Sequence, residues 1–226
     1  MNKQRILVWD LPTRVFHWLL ALSFLGAFVT AESERYRDIH VALGYTMLGL
    51  VAFRLFWGVI GTRYARFSSF PIAPRRVLGY LKSLFTRSPQ HHVGHNPAGS
   101  LAIYAILALA LLAAATGYGA YEGIGGEWLA ELHEAAANAM LGLVLIHIGA
   151  VIVSSLIHRE NLVAAMLNGY KKGRAGDGIR RKHWFVGAAV LVATLGFWAG
   201  NAGLLPAGIG MPLASAVVQP ADNGHG

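Results

Sequence analysis

The sequence predicts an all-α integral membrane protein: a four-helix transmembrane bundle followed by a fifth transmembrane helix. Three observations carry this. Hydrophobic residues make up 55% of the 226 and charged residues 13%, about half the charged share of an ordinary soluble domain. Mean hydropathy is +0.47 although the formal net charge is +8. The apolar residues fall into five runs, at about 14–31, 40–60, 98–118, 133–157 and 184–205. Each is long enough for a helix to cross a hydrocarbon core of about 30 Å. A spanning segment must satisfy its own backbone hydrogen bonds, so each run is read as a helix. The basic residues lie between apolar runs instead of sharing one folded face, which excludes a nucleic-acid binder.

The first run is read as starting before Arg14, with Pro12 in its first turn, where the missing N–H costs nothing. Thr30-Ala31-Glu32-Ser33-Glu34 at its exit is no small-residue cleavage pattern, so the run is read as a retained span. The second and fourth are uninterrupted by Pro. A long loop, 61–96, follows the second span. Within it, residues 75–86 fit a basic amphipathic helix lying on the membrane surface. The segment 168–182 reads as a Gly-rich basic loop. The fifth run contains Gly196, Gly200, Asn201 and Gly203, and Pro206 is read as its end.

Charge sets the orientation. Of the 19 Lys and Arg, only Arg35 and Arg37 lie in the loops of one side, and Arg54 lies inside the second span. The rest sit in the N-terminal tail, the 61–96 loop and the segment after the fourth span. Glu32, Glu34, Asp38, Glu122, Glu127 and Glu131 occupy the opposite loops. The positive-inside rule then makes the N-terminus cytoplasmic and, with five spans, the C-terminus external.

There is no cysteine among the 226 residues. Disulfides, Cys-ligated iron–sulfur clusters and covalently attached haem are excluded. Ten histidines remain, and four lie in or at the ends of spans: His17, His40, His133 and His147. Ionisable side chains inside a membrane are costly and tend to be functional. His133 and His147 are 14 residues apart, about 21 Å along one helix and within about 40° of the same face. Chain direction places His17 at the inner level with His147, and His40 at the outer level with His133. Two imidazoles at each depth suit two six-coordinate b-type haems. The rival is zinc, which would want three or four ligands at one depth. A hydrogen-bonded structural role remains open for each histidine taken singly. Arg54, 14 residues after His40, and Arg14 are the candidate inner partners for haem propionates. Snorkelling to lipid phosphate is the alternative. Arg35 and Arg37 are the outer candidates, and Glu134 a second-layer or proton-carrying one. Gly44, Gly49, Gly58, Gly142 and Gly149 would leave room for flat rings or for close helix packing. His91, His92 and His95 are read as a wet loop, His158 and His183 as interfacial, and His225 as tail.

Four stretches carry a family likeness: VWDLPTRVFHWLLALSF, RYRDIHVALGYTMLGLVAFRLFWGVIGTRYARF, HNPAGSLAIYAILALALLAAATG and LHEAAANAMLGLVLIHIGAVIVSSLIHRENLVAAMLNGYKKG. Together they resemble the bacterial di-haem cytochrome b-561 family, which includes the b-type cytochrome subunit of nickel–iron hydrogenases. The likeness covers roughly 6–174. It divides the chain into a di-haem transmembrane domain, 1–174, and a linker, fifth helix and periplasmic tail, 175–226. The family's ligand pattern falls on His17, His40, His133 and His147. The resemblance implies a bacterial inner-membrane location and electron transfer between a periplasmic redox protein and membrane quinone. That partner would be a hydrogenase, a c-type cytochrome or another dehydrogenase. Electrons would pass from the outer pair to the inner, and a quinone would bind near Phe16, Trp18, Phe56, Trp57 and Arg63. The alternatives are a stand-alone superoxide:quinone oxidoreductase, which the acidic outer loops disfavour, and an anchor subunit with structural haems.

Overall fold

A computed structural model describes residues 4–86 and 88–203. Five helices in it are long and apolar enough to cross a membrane: α1 (Leu11–Thr30), α2 (Arg37–Ile60), α4 (Pro97–Tyr121), α5 (Glu127–His158) and α7 (Trp184–Asn201). The chain is an all-α, multi-pass membrane protein. Each span lies where hydropathy places it, with revised ends. α1 starts at Leu11 because Asp10 caps it, its Oδ1 accepting from Thr13 N–H at 2.9 Å. α5 starts six residues before His133, which therefore lies inside the helix and not at its opening. α7 runs to Asn201. The expected stop at Pro206, His225 and the rest of the C-terminal tail lie outside the described residues.

Two shorter helices lie between spans. α3 (Pro74–Ser83) is the expected amphipathic helix: Tyr80 is buried, and Leu78, Leu81 and the following Phe85 are exposed. α6 (Leu162–Asn168) follows α5 after one sharp turn. Arg159 ends α5 in the left-handed region at φ 50°, and Asn161 caps α6 by accepting from Ala164 N–H at 2.8 Å.

The strands were not expected. β1 (Gln4–Leu7) and β2 (Tyr170–Gly173) form an antiparallel pair, with Gln4 opposite Gly173 and Leu7 opposite Tyr170. The Gly-rich segment is therefore partly a strand. The pair ties the N-terminal tail to the segment after the fourth span. Gly169, at φ +88°, makes the turn into β2, and its carbonyl accepts from Val8 and Trp9 N–H at 2.8 and 3.1 Å. A Cβ at Gly169 would lie 2.6 Å from the Trp9 carbonyl oxygen, so only glycine fits there.

The core is built by Phe16, Leu19, Leu20 and Phe24 of α1, Met47, Leu50 and Val51 of α2, Leu107 and Ala110 of α4, and Met140 of α5. A smaller cluster, Ile6, Val8, Trp9, Tyr64 and Ala165, lies under the strands. Lipid-facing apolar side chains cover the outside; Val29 is 72% and Leu156 73% exposed. Close packing runs from α7 to α1, α1 to α2, α2 to α4 and α4 to α5. α5 packs along α4 and is not packed along α1 or α2. The fifth helix lies on the far side, where Trp198 donates its indole N–H to Thr46 Oγ1 at 2.9 Å.

Candidate cofactor site between α5 and the α1–α2 pair

The four intramembrane histidines lie on three spans: His17 on α1, His40 on α2, and His133 and His147 on α5. The rings of His40 and His133 lie 5.9 Å apart between centroids, at 82° to each other. Each ring is held from behind. His40 Nδ1–H donates to the Ala27 carbonyl of α1, and His133 Nδ1–H to the Ala113 carbonyl of α4, both at 2.8 Å. A carbonyl can only accept, so Nδ1 carries the proton in both rings. A ligating histidine holds its other nitrogen on a backbone carbonyl in this way. Two imidazole–metal bonds of about 2 Å each plus the ring radii give a separation of about 6 Å for rings sharing one ion.

Gly117 of α4 makes room for this. A Cβ there would lie 2.8 Å from both Cε1 and Nδ1 of His133. G117A is expected to push the ring off its Ala113 bond. The measurement is the midpoint potential and low-spin electron paramagnetic resonance spectrum of the isolated protein. Were His133 a metal ligand, a low-spin signal should shift.

His17 of α1 and His147 of α5 are both half-buried. His17 packs edge-on against Trp18 at 5.1 Å, and its Nδ1 is enclosed with no protein partner. Arg54 is 2% exposed. One nitrogen, Nη2, donates to the Ala65 carbonyl at 2.9 Å, and the guanidinium lies 4.6 Å from the Phe67 ring centre. Nη1 is enclosed and unpartnered. Arg54 thus lies inside the protein and does not snorkel. Arg14 donates Nη1–H to the Leu167 carbonyl, while its Nε is enclosed without a partner.

Other expectations need correction. His95 is not in a wet loop. Its ring lies between Trp9 and Phe70, at 4.6 and 4.5 Å, with Nδ1 enclosed and unpartnered. Burial first, then the charges of Arg54 and Lys171, hold its pKa well below the usual imidazole range, so the ring is neutral. His92 is held down by burial too, and its carbonyl accepts from Lys171 Nζ at 3.2 Å. His91 is exposed, its ring 5.4 Å from that of His158. Of the glycines singled out, Gly44 is half-buried, one turn from His40, with nothing near a Cβ built on it. Gly49, Gly142 and Gly149 are exposed, and Gly58 packs on Phe67. Gly49 and Gly142 lie about 180° around their helices from His40 and His133.

The aromatic residues considered for a quinone mouth are mostly committed to structure. Phe16 is core, and Trp18 donates to the Met166 carbonyl at 3.4 Å. Trp57 is buried and donates to Asp10 Oδ2 at 3.1 Å. Phe56 and Arg63 remain exposed. At the acidic end Arg37 pairs with Glu34 at 3.7 Å, Arg35 lies 5.6 Å from the Tyr36 ring, and Glu134 is exposed.

Two buried groups had no sequence signal. Asp10 is 1% exposed and takes Thr13, Trp57 and Thr62 as donors, joining the start of α1 to the end of α2. Lys171 pairs with Glu160 at 3.2 Å, with 4% and 10% of their side chains exposed. Among the described residues no group of three or more His, Cys, Asp or Glu is placed to hold a metal ion. A clustered zinc site has no support there.

Fold and site together define a class: a multi-pass membrane protein whose interior presents paired imidazoles. Comparison with known proteins narrows this. The chain belongs to the prokaryotic cytochrome b561 family, whose model matches residues 8–169. It is 23% identical over 214 residues to the "Probable Ni/Fe-hydrogenase B-type cytochrome subunit" of Azotobacter vinelandii, covering 74% of this chain and 88% of that one. The protein of the same description from Rhizobium leguminosarum bv. viciae is 24% identical over 215 residues, 75% and 90% of the two chains. No solved structure matches. The chain is thus a membrane electron-transfer protein of cytochrome b type, and family membership implies haem.

Proposed function

We propose that this chain relays electrons between a periplasmic redox protein and the membrane quinone pool, as a subunit of an oxidoreductase complex. It would hold two b-type haems, an inner one on His17 and His147 and an outer one on His40 and His133. The single observation that carries this reading is the His40–His133 pair. Two rings 5.9 Å apart, each with Nδ1 bonded to backbone, leave two Nε2 lone pairs for one ion. Haem supplies one-electron redox chemistry, and the protein supplies ligation, position and electrostatics.

The residues beside the pairs fit the group. Enclosed donors without partners on Arg54 and Arg14 suit the anionic propionates of the inner haem. The open space beside Gly44 suits a flat ring. The bundle would comprise α1, α2, α4 and α5, within a haem domain at 1–174. Residues 175–226 would supply a linker, the fifth helix and a periplasmic tail. The basic side is assigned to the cytoplasm and the inner membrane to a bacterial cell. Relatives described as subunits of a Ni/Fe-hydrogenase favour a hydrogenase as the partner over a c-type cytochrome or another dehydrogenase. Quinone would bind at the inner end, near Phe56.

The test is purification from native membranes with haem quantitation, followed by mass analysis of associated subunits. Two haems per chain and a co-purifying redox protein are expected. Fewer than two haems, or an H147A variant that keeps both low-spin haems, would sink the ligand assignment.

A further inference from the structure

We propose that the cleft between the end of α2 and the start of α7 binds the phosphate headgroup of an anionic phospholipid. This site is separate from the histidine pairs and does not depend on their ligand.

The cleft has a volume of about 330 Å³, and Arg63 and Arg66 from one loop meet Arg180 and Arg181 from the linker before α7. All four arginines are exposed. The ion pairs among the described residues are Arg37–Glu34 and Lys171–Glu160, so none of the four is neutralised by a carboxylate. Four guanidinium groups around one cleft repel one another, and their forked donors match phosphate oxygens. The one wall is pinned in place. Ile179 N–H donates to the Leu7 carbonyl and Leu11 N–H to the Lys182 carbonyl, at 2.8 and 2.9 Å. His183 then turns the chain into α7 through the left-handed region at φ 48° and makes no side-chain cap. The first N–H groups of an 18-residue helix are left without that partner, which adds positive potential at the same edge.

The surroundings select a lipid over a free anion. Directly beside the basic cleft lie side chains that face the bilayer. Val59 and Ile60 at the end of α2 are 71% and 56% exposed, and Trp184 and Phe185 at the start of α7 are 57% and 71% exposed. A charged cleft at the membrane surface with an apolar wall below it matches an amphiphile: phosphate above, acyl chain below. Both helices end here on the basic side, where anionic lipid attracts clustered Lys and Arg.

The experiment is native mass spectrometry of the full haem-loaded protein in detergent, titrated with phosphatidylglycerol, phosphatidylcholine or inorganic phosphate. Phosphatidylglycerol is expected to bind at least about tenfold more tightly than phosphatidylcholine. The R63Q/R66Q/R180Q/R181Q variant should lose that preference. R75Q/R76Q on α3, which removes charge from the same side, should keep it. Inorganic phosphate at matching concentration should not displace the lipid. Equal binding of the two lipids, or a preference that survives the fourfold substitution, would overturn the proposal. Displacement by inorganic phosphate would replace it with a soluble-anion site. If the fourfold variant fails to fold, judged by its haem spectrum and thermal unfolding, R180Q/R181Q carries the same test.

Discussion

Alanine at His133 is expected to take the purified protein from two haems per chain to one. The reason is geometric. The rings of His40 and His133 meet, and each is fixed by its own backbone acceptor, Ala27 or Ala113. Removing one would leave a haem held there with only one of the two histidines proposed to hold it. The residues that hold the helices together, from Phe16 to Met140, lie elsewhere, so the fold should survive. H40A should produce the same loss as H133A, and the double variant should lose no more than either single one. H17A and H147A should remove the other haem. Haem quantitation and low-temperature optical spectra of the four variants read this directly. The pairing is wrong if H133A and H147A lose the same spectral component, or if H133A keeps both.

The second large effect lies outside the spans. Glu160→Gln is expected to cost about 3–5 kcal/mol, the usual penalty for leaving one buried charge without its partner. Lys171 is buried in β2, and its Nζ has only Glu160 and the His92 carbonyl as described partners. Burial lowers the Lys171 pKa, and Glu160 raises it part of the way back. In E160Q that support is gone, and the folded-state pKa falls further below the unfolded value. Between those two values the unfolded chain binds more protons than the folded one. Stability of the variant therefore rises with pH through that window. The loss should be fullest at neutral pH and below, and shrink as the solution becomes alkaline. Thermal unfolding in detergent across that range checks both statements. The E160Q/K171M variant should recover most of the loss, because no buried charge is then left alone. A pH-independent loss would mean that the ion pair is not its source.

These two sites differ in how readable they were. The spans could be read because a membrane helix is defined by its own run of apolar residues, with no partner needed. The expected pairing of His17 with His147 and His40 with His133 came from chain direction alone, since alternate helices cross the bilayer in opposite senses. The α3 helix showed itself through its own two faces. The Lys171–Glu160 pair had no such signature. In the sequence it is one charge in a basic stretch and one acid in the turn after a span.

The burial of His95 was missed for a related reason. Three histidines in five residues look like a solvated loop. His95 is enclosed because Trp9 arrives from the N-terminal tail and Phe70 from the loop after α2. The β1–β2 pair escaped notice likewise, since it joins residues near position 5 to residues near position 172.

Composition, run length and charge asymmetry were therefore enough to establish a multi-pass helical membrane protein and to rank its histidines. Those properties are local, or follow from a bilayer that forces every span to be a helix. The tertiary arrangement added what depends on distant segments meeting. It showed that α5 packs along α4, and that the Ala27 and Ala113 carbonyls hold the rings of His40 and His133 where they meet. It also enclosed Arg54 and brought four arginines to one cleft. Periodicity shows which face of a helix a side chain occupies. What that side chain meets is set by the packing of the other helices.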